Sequence, residues 1–264
     1  MKKKIGLSVL WLAIVLLILA FWDVIFFPIS NKKLDFVQRF AVDQINKNWA
    51  AKLESMPKEE RKVITYDSLI ASLNPIERKF VKRIFAIKPS TLGFKGPEFS
   101  KDPVTDLARI DSMTFVHDGN EIDTGINFFP KEHYADFQRM MEAMRNDIGK
   151  ELYISSGYRS PGYQAYLFFY YLGPENGYSL DENAKWIAMP GYSEHGSPNT
   201  AADLINADGV SGQDKGQTAD DFYALPEFAW LNENAAKYDF YQTYPKGNDL
   251  GVSDEPWHWH WEQK

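Results

Sequence analysis

Apolar and polar positions fall into three regimes along the chain. Met1–Lys4 supplies three lysines, and Ile5–Trp22 then runs for eighteen residues without a charged side chain. That is about the minimum length for a helix to cross a bilayer. Asp23 interrupts the run, and Val24–Ile29 carries its apolar character onward. Phe21-Trp22-Asp23 places bulky groups where signal cleavage needs small ones. The pattern predicts an uncleaved signal-anchor transmembrane helix over residues 1–29, with its lysines cytoplasmic and the bulk of the chain outside. A cleaved signal peptide is the alternative.

Residues 30–110 are charged and helix-leaning. Leu34, Val37, Phe40, Ala41, Ile45 and Trp49 recur at helical spacing and predict an amphipathic segment beside the membrane. Asn74-Pro75 reads as a helix start, followed by Ile76, Phe80, Val81 and Ile84. Pro89, Gly93, Gly96 and Pro97 mark irregular chain. No catalytic chemistry is visible here, so the stretch reads as a helical stalk or as an N-terminal lobe packed on the C-terminal half of the chain.

Residues 111–264 have a different texture. Phe128-Phe129-Pro130 leads into a predicted helix over Lys131–Ile148, with Phe137, Met140, Met141, Met144 and Ile148 as its apolar face and Gly149 as its cap. The methionines read as core. Glu151–Ser155 reads as a short strand delivering Gly157-Tyr158-Arg159-Ser160, and Pro161 opens an aromatic helix that Gly173-Pro174 stops. Thr200–Ile205 is strand-like around Asp203, Glu227–Tyr238 helical, and Trp257–Trp261 a final alternating strand. Helices flanking short strands in irregular order predict an α+β fold with a small antiparallel sheet.

Composition narrows the chemistry. A net charge of −7 speaks against nucleic acid as a partner. The chain has no cysteine, which excludes disulfides, a thiol nucleophile and thiolate metal ligands. Any bound metal must therefore sit on histidine and carboxylate. Only five histidines are present, and two of them, His258 and His260, fall within three residues of each other.

A hydrolytic zinc site presents three protein ligands and an open position, with a carboxylate nearby to accept a proton from water. His195, Asp203 and His258 could supply the ligands and Glu255 the base. Residues three apart on a strand face opposite ways, so Glu255 and His258 can share one site only if Pro256 bends the chain between them. His260 shares the face of His258 and reads as a hydrogen-bonding partner behind the ligands, an oxyanion partner or a substitute ligand. His117 and His133 read as hydrogen-bonded structural residues. Trp257, Trp259 and Trp261 read as core.

Three segments in order carry a resemblance. Ser156-Gly157-Tyr158-Arg159-Ser160 with Gln164, then Ser193-Glu194-His195 with Ala201 and Asp203, then Glu255-Pro256-Trp257-His258 are similar to the signatures of the D-Ala-D-Ala metallopeptidase family, which includes VanY-type D,D-carboxypeptidases. The similarity spans roughly Glu121–Glu262, with Trp230-Leu231, Asn234-Ala235, Tyr238-Asp239-Phe240 and Tyr244-Pro245 as softer matches. The resemblance implies the small α+β zinc-peptidase domain shared with the hedgehog signalling domain. It implies one zinc ion per chain on His195, Asp203 and His258, with Glu255 as catalytic base and Arg159 stabilising the oxyanion. Ser193, Tyr158, Gln164 and His260 would shape the site or hold substrate. The sequence departs from the family in three places. His195 and Asp203 stand eight apart where seven is usual, so Gly196–Asn199 must absorb a residue. His260 stands where arginine is common, and Asp239 where a helix-ending glycine is usual.

The ligand set points to hydrolysis, and the resemblance implies the terminal D-Ala-D-Ala bond of peptidoglycan stem peptides as its target, outside the cytoplasmic membrane to which the N-terminal helix would tether the chain. Endopeptidase or D,D-dipeptidase action on the same fold is the alternative within this class. A zinc-containing module that binds wall or a protein partner without catalysis is the alternative outside it. Oligomeric state is left open.

Overall fold

The computed structural model describes residues 24, 26–99, 102–196 and 200–263. The run Ile5–Trp22, on which the signal anchor is predicted, lies outside the described residues. Among the described residues, no helix is long and apolar enough to cross a membrane. Ser197–Asn199, in the widened segment between His195 and Asp203, also lie outside them.

Among the described residues, the first complete helices are α1 (Phe36–Glu54), α2 (Lys58–Arg61), α3 (Tyr66–Ala71) and α4 (Pro75–Ile84). Two antiparallel strand pairs come next: β1 (Leu107–Ile110) with β4 (Asn127–Pro130), and between them β2 (Thr114–His117) with β3 (Asn120–Asp123). Then come α5 (Lys131–Ile148), β5 (Leu152–Ser156), α6 (Pro161–Leu172), α7 (Leu180–Asn183) and β6 (Ala201–Asn206). The chain closes with α8 (Ala219–Tyr223), α9 (Pro226–Asn234), β7 (Phe240–Gln242) and β8 (His258–Trp261). Strands β5-β6-β8-β7 form one antiparallel sheet in that order. The class is α+β.

Local chemistry sets the helix boundaries. The Asp35 carboxylate accepts from the Val37 and Gln38 N–H groups, and Asn74 with Glu77 forms a reciprocal capping box ahead of Pro75. Gly149 closes α5 in the left-handed conformation at φ 68°, where a side chain would be strained. Asp239 takes the same conformation after the 3₁₀ turn Ala235–Tyr238, at φ 64°. Aspartate tolerates that region better than most residues, so the missing glycine costs the turn little.

The helical segment shares one core with α6. Trp49, Phe80, Phe168 and Phe169 are fully buried together, and the Trp49 indole donates to the Leu69 carbonyl at 3.1 Å. The buried stripe of α1 runs through Gln38, Val42, Ile45, Trp49 and Leu53, whereas Phe40 is 59% exposed. Leu34, Ala41, Ile45 and Trp49 of the predicted face are buried, and Phe40 falls outside it. The Asn46 amide donates to the Phe169 carbonyl at 2.8 Å and ties α1 to α6.

The same segment holds the loop that carries Arg159. The Ser160 N–H donates to the Lys62 carbonyl at 3.0 Å, and its hydroxyl to the Ile64 carbonyl at 2.6 Å. Lys62 Nζ donates to Asn127 Oδ1 at 2.5 Å, and that oxygen also accepts from the Gly157 N–H at 3.2 Å. Burial, reinforced by Arg159, lowers the Lys62 ammonium to about 8. Gly162 makes this approach possible, because a Cβ there would run into the Ile64 carbonyl. A second core lies between the sheet and helices α5 and α9, with Met140, Met144, Leu204 and Trp259 buried in it.

Replacing Gly162 with alanine should force the Val63–Thr65 backbone away from α6. The expected cost is about 1–3 kcal/mol, read as a lowered midpoint in thermal unfolding. An unchanged midpoint would contradict the close contact.

Candidate metal centre

The centre is built on one strand register. In the β6–β8 ladder Asp203 pairs directly with His258, so their side chains leave the same face of the sheet side by side. His195 comes from the segment before β6. Its carbonyl accepts from the Arg159 N–H and the Glu194 carbonyl accepts from the Ala201 N–H, both at 2.9 Å, which fixes that segment from two sides. Glu255 reaches the site through the bend that the sequence requires. The His258 N–H donates to the Glu255 carbonyl at 3.1 Å across Pro256-Trp257, a tight turn with proline in its second position. Strand β8 consequently starts at His258, not at Trp257.

Both imidazoles are held by one nitrogen and present the other. His195 Nδ1 donates to the Gly157 carbonyl at 2.8 Å, which leaves Nε2 facing Asp203 Oδ1 at 3.3 Å. His258 Nε2 donates to Glu194 Oε2 at 2.8 Å, which turns Nδ1 toward Asp203 Oδ1 at 3.0 Å. One donor atom from each of His195, Asp203 and His258 lies within 4.8 Å of the others, and all three residues are buried. Two oriented imidazoles and a carboxylate converging on one point fit a divalent cation. An acceptor behind each imidazole is the arrangement that orients metal-ligating histidines.

The remaining groups line a polar chamber of about 70 Å³ around this cluster. Arg159 Nη2 donates to Asp203 Oδ2 and to His195 Nε2, each at 2.8 Å, and Nε donates to Ser156 Oγ at 3.1 Å. Glu255 Oε2 stands 3.8 Å from His258 Nδ1, with its side chain 12% exposed to the chamber. Gln164 and Ser193 line the chamber. The Gln164 amide is tied to the Ala188 carbonyl at 2.8 Å, while Ser193 Oγ accepts from the His195 N–H at 3.3 Å.

Charge is distributed unevenly among these groups. Burial, then the Arg159 guanidinium, holds the His195 imidazole down at about 4. Burial also opposes charge on His258, but its hydrogen bonds to Asp203 and Glu194 overcome that and push it up to about 10. Burial alone would raise the Asp203 carboxyl, yet His195, His258 and Arg159 keep it well below the usual range. Burial pushes Glu255 up to about 8 despite the pull of His258, with Asp203 adding to the rise. The protein groups thus supply an acceptor at His195, an anion at Asp203 and an imidazolium at His258 that must lose its proton to ligate.

Two residues that the resemblance assigns to substrate do not face the chamber. Tyr158 is 1% exposed, and its hydroxyl accepts from the Val104 N–H at 3.1 Å, so its ring serves packing. His260 lies two residues along β8 from His258, opposite Ala201. Its Nδ1 meets Thr243 Oγ1 at 2.6 Å, and Thr243 donates to Glu194 Oε2 at 2.6 Å. Of the three roles open to His260, the geometry matches the hydrogen-bonding partner behind the ligands. His133 stacks on Trp261 at 3.7 Å, and His117 Nδ1 meets the Asp208 carbonyl at 3.1 Å.

Two further residues of the centre carry no role in the sequence pattern. Glu194 is 7% exposed, and burial alone would raise its carboxyl, but His258, His260 and Thr243 bring it below the usual value. Its place beside His195 in the Ser193-Glu194-His195 motif is visible, but its reach to His258, 64 positions on, is not. Tyr244 lines the chamber with its ring 4.9 Å from that of His258. Burial, then Glu194 and Glu255, keep its hydroxyl protonated.

Glu194→Ala removes the acceptor that orients His258. Zinc affinity, measured by competition with a chromophoric chelator, is expected to fall about 10–100-fold, with a smaller loss for Glu194→Gln. Equal affinity in all three proteins would remove Glu194 from the centre.

With this geometry in place, comparison with known proteins gives a consistent result. Residues 127–264 match the sequence model of VanY, D-alanyl-D-alanine carboxypeptidase. A D-alanyl-D-alanine carboxypeptidase of Enterococcus faecalis (strain ATCC 700802 / V583) is 33% identical over 130 residues, covering 46% of this chain and 44% of that protein. A D-alanyl-D-alanine carboxypeptidase of Enterococcus faecium is 27% identical over 164 residues, covering 61% of this chain and 45% of that one. The chain thus spans less than half the length of these curated relatives. Among solved structures, vancomycin resistance D,D-pentapeptidase VanY in complex with Zn(II) is similar at 24% identity and a TM-score of 0.39, over 62% of this chain and 85% of that one. VanYB in complex with D-alanine-D-alanine is similar at 25% identity and a TM-score of 0.41, over 62% and 83%. Since the sequence model covers more than half of the 264 residues, the chain belongs to the VanY D-alanyl-D-alanine carboxypeptidase family.

Proposed function

We propose that this chain is a zinc-dependent D,D-carboxypeptidase. It removes the terminal D-Ala of peptidoglycan stem peptides and works outside the cytoplasmic membrane, tethered by the apolar run at its N-terminus. The observation that carries the reading is Glu255, a carboxylate beside three converging ligand groups in a chamber that also contains Arg159. A site that only bound metal would not need either residue there.

His195 through Nε2, His258 through Nδ1 and Asp203 through its carboxylate would hold the ion. When bound, the ion supplies Lewis acidity, acidifying water and polarising the scissile carbonyl. Glu255 takes the proton from the attacking water and returns it to the leaving amine. A raised carboxyl suits that exchange, because it both accepts and releases a proton near neutral pH. Arg159 has a second task. The His195 Nε2 lone pair can serve either the guanidinium or a cation, so with a cation held there the Arg159 N–H that it now accepts would be available to the developing oxyanion. Tyr244, neutral and on the chamber wall, is placed to donate as well.

The chamber also supports removal of a single small residue. At about 70 Å³, lined by Phe94, Gln164, Ala184 and Ala188 among others, it suits a methyl side chain better than a continuing peptide. Ser193 accepts a backbone hydrogen bond, so its own hydroxyl hydrogen remains for the terminal carboxylate.

Incubation with a stem pentapeptide ending in D-Ala-D-Ala should release single D-Ala in a zinc-dependent, chelator-sensitive reaction. Release of the dipeptide D-Ala-D-Ala would instead make it a dipeptidase. Glu255→Gln should retain zinc while kcat falls by about 10²–10⁴. Glu255 must be ionised to act as base, so the rate should fall as pH drops through its pKa. The protein groups set that value at about 8, and a neighbouring cation lowers it, so the acidic limb is expected below pH 8. Zinc-loaded protein that cleaves no stem or cross-linked peptide would favour a binding module instead.

A further inference from the structure

The family model matches residues 127–264, and Lys62 lies outside that match, directly after α2. Its side chain nevertheless reaches the back of the metal centre. The ammonium donates to Asn127 Oδ1 at 2.5 Å and to the Thr124 carbonyl at 3.3 Å.

A cation is poorly placed there. Burial and the Arg159 guanidinium both disfavour its charge, and Asp203 and Asp123 offset them only in part. Lys58 and Arg61 line the same cleft of about 460 Å³, with Glu54 and Asp123 as its acids. Neither acceptor depends on the ammonium. Asn127 Oδ1 also accepts from the Gly157 N–H at 3.2 Å, and the Thr124 carbonyl accepts from Asn127 Nδ2 at 3.1 Å. A charge kept against burial and repulsion, on partners that have other donors, points to a task other than stability.

Asn127 shows what that task is. It is fully buried at the start of β4 and clasps a bulge in β5. The β5–β6 ladder passes from Ile154 opposite Leu204 to Ser156 opposite Asp203, so Ser155 is an extra residue. Asn127 Nδ2 donates to the Ser155 carbonyl at 3.1 Å while Oδ1 accepts from the Gly157 N–H, so one amide holds both sides of the bulge. The residues it holds serve the centre directly. Ser156 Oγ accepts from Arg159 Nε at 3.1 Å, and the Gly157 carbonyl accepts from His195 Nδ1 at 2.8 Å. A flipped Asn127 amide would turn its NH₂ against the Gly157 N–H, and against the Lys62 ammonium as well. Lys62 thus reinforces the one orientation that the bulge needs.

Resting on the carboxypeptidase reading, we propose that Lys62 is a positioning residue for the metal centre. Its ammonium locks the Asn127 amide, the amide holds the β5 bulge, and the bulge sets the His195 ring and the Arg159 guanidinium. The helical segment that carries Lys62 is then part of the working unit and more than a spacer.

The test compares Lys62→Met, Lys62→Arg and Asn127→Ala in the full chain with the unmutated protein. Zinc affinity is read by competition with a chromophoric chelator, and turnover with a stem pentapeptide ending in D-Ala-D-Ala. Lys62→Met should weaken zinc binding and lower kcat, each about tenfold, with KM and the thermal midpoint retained. Arginine keeps the charge and the donors, and the cleft has room for it, so Lys62→Arg should restore both values. Because Lys62 acts through Asn127, adding Lys62→Met to Asn127→Ala should cost nothing beyond Asn127→Ala alone. Additive losses in that double variant overturn the proposal, as does intact zinc affinity and kcat in Lys62→Met. A Lys62→Met chain that fails to fold, or no recovery in Lys62→Arg, also overturns it, because the side chain would then serve packing. If the unmutated protein cleaves no peptide while zinc affinity falls in Lys62→Met and returns in Lys62→Arg, the positioning role stands and the carboxypeptidase reading fails.

Discussion

The pairing of Asp203 with His258 across two neighbouring strands is the constraint on which the rest of the site depends. Side chains alternate along a strand, so a slip of one residue between β6 and β8 would send one of the two to the opposite face and leave the other without a partner. Several features protect that register. Strand β6 is buried along its whole length and paired on both edges. Trp259 is buried in the sheet core one position beyond His258. The turn at Pro256-Trp257 fixes where β8 begins and brings Glu255 back over the face that His258 occupies. His195 and Arg159 then dock on this pair from outside the sheet.

Packing acidic and basic groups so densely costs desolvation energy unless the charges are matched. Asp203, Glu194 and Glu255 are opposed by Arg159 and by His258 in its protonated form, and Glu255 resists ionisation. The balance uses two adjustable protons. A divalent cation held at the centre would supply the same positive charge without them, and would favour a neutral His258 and an ionised Glu255. The groups that balance charge in the centre are therefore the ones whose protons a bound cation would displace. Glu194 joins the two conditions, because it pairs the imidazolium in one case and orients the ligand in the other.

Local signals were legible in the sequence, and contacts made across the fold were not. His195, Asp203, Glu255 and His258 could be picked out because three residue types at motif spacing suffice to suggest a hydrolytic metal site, and the bend at Pro256 could be required before it was seen. The helix over Lys131–Ile148 was equally plain, since its apolar face and Gly149 cap are local. Glu194, by contrast, acts on a strand 64 positions away. Tyr158 and His260 sit within or beside motifs but turn toward Val104 and Thr243. The hold of Lys62 and Ile64 on Ser160, beside Arg159, rests on their backbone carbonyls, which leave no trace in side-chain pattern. Gly162 was silent for the same reason, and Phe40 misled because a helical period fixes a face only once its neighbour is known.

The most direct test of the metal centre is anomalous diffraction from crystals of the zinc-loaded protein, recorded on both sides of the zinc absorption edge. One peak per chain is expected, bounded by His195 Nε2, His258 Nδ1 and the Asp203 carboxylate, with Glu255 beside it and Glu194 behind His258. A peak ligated by Glu194 or His260 in place of any of the three, or no peak at this position, would contradict the assignment.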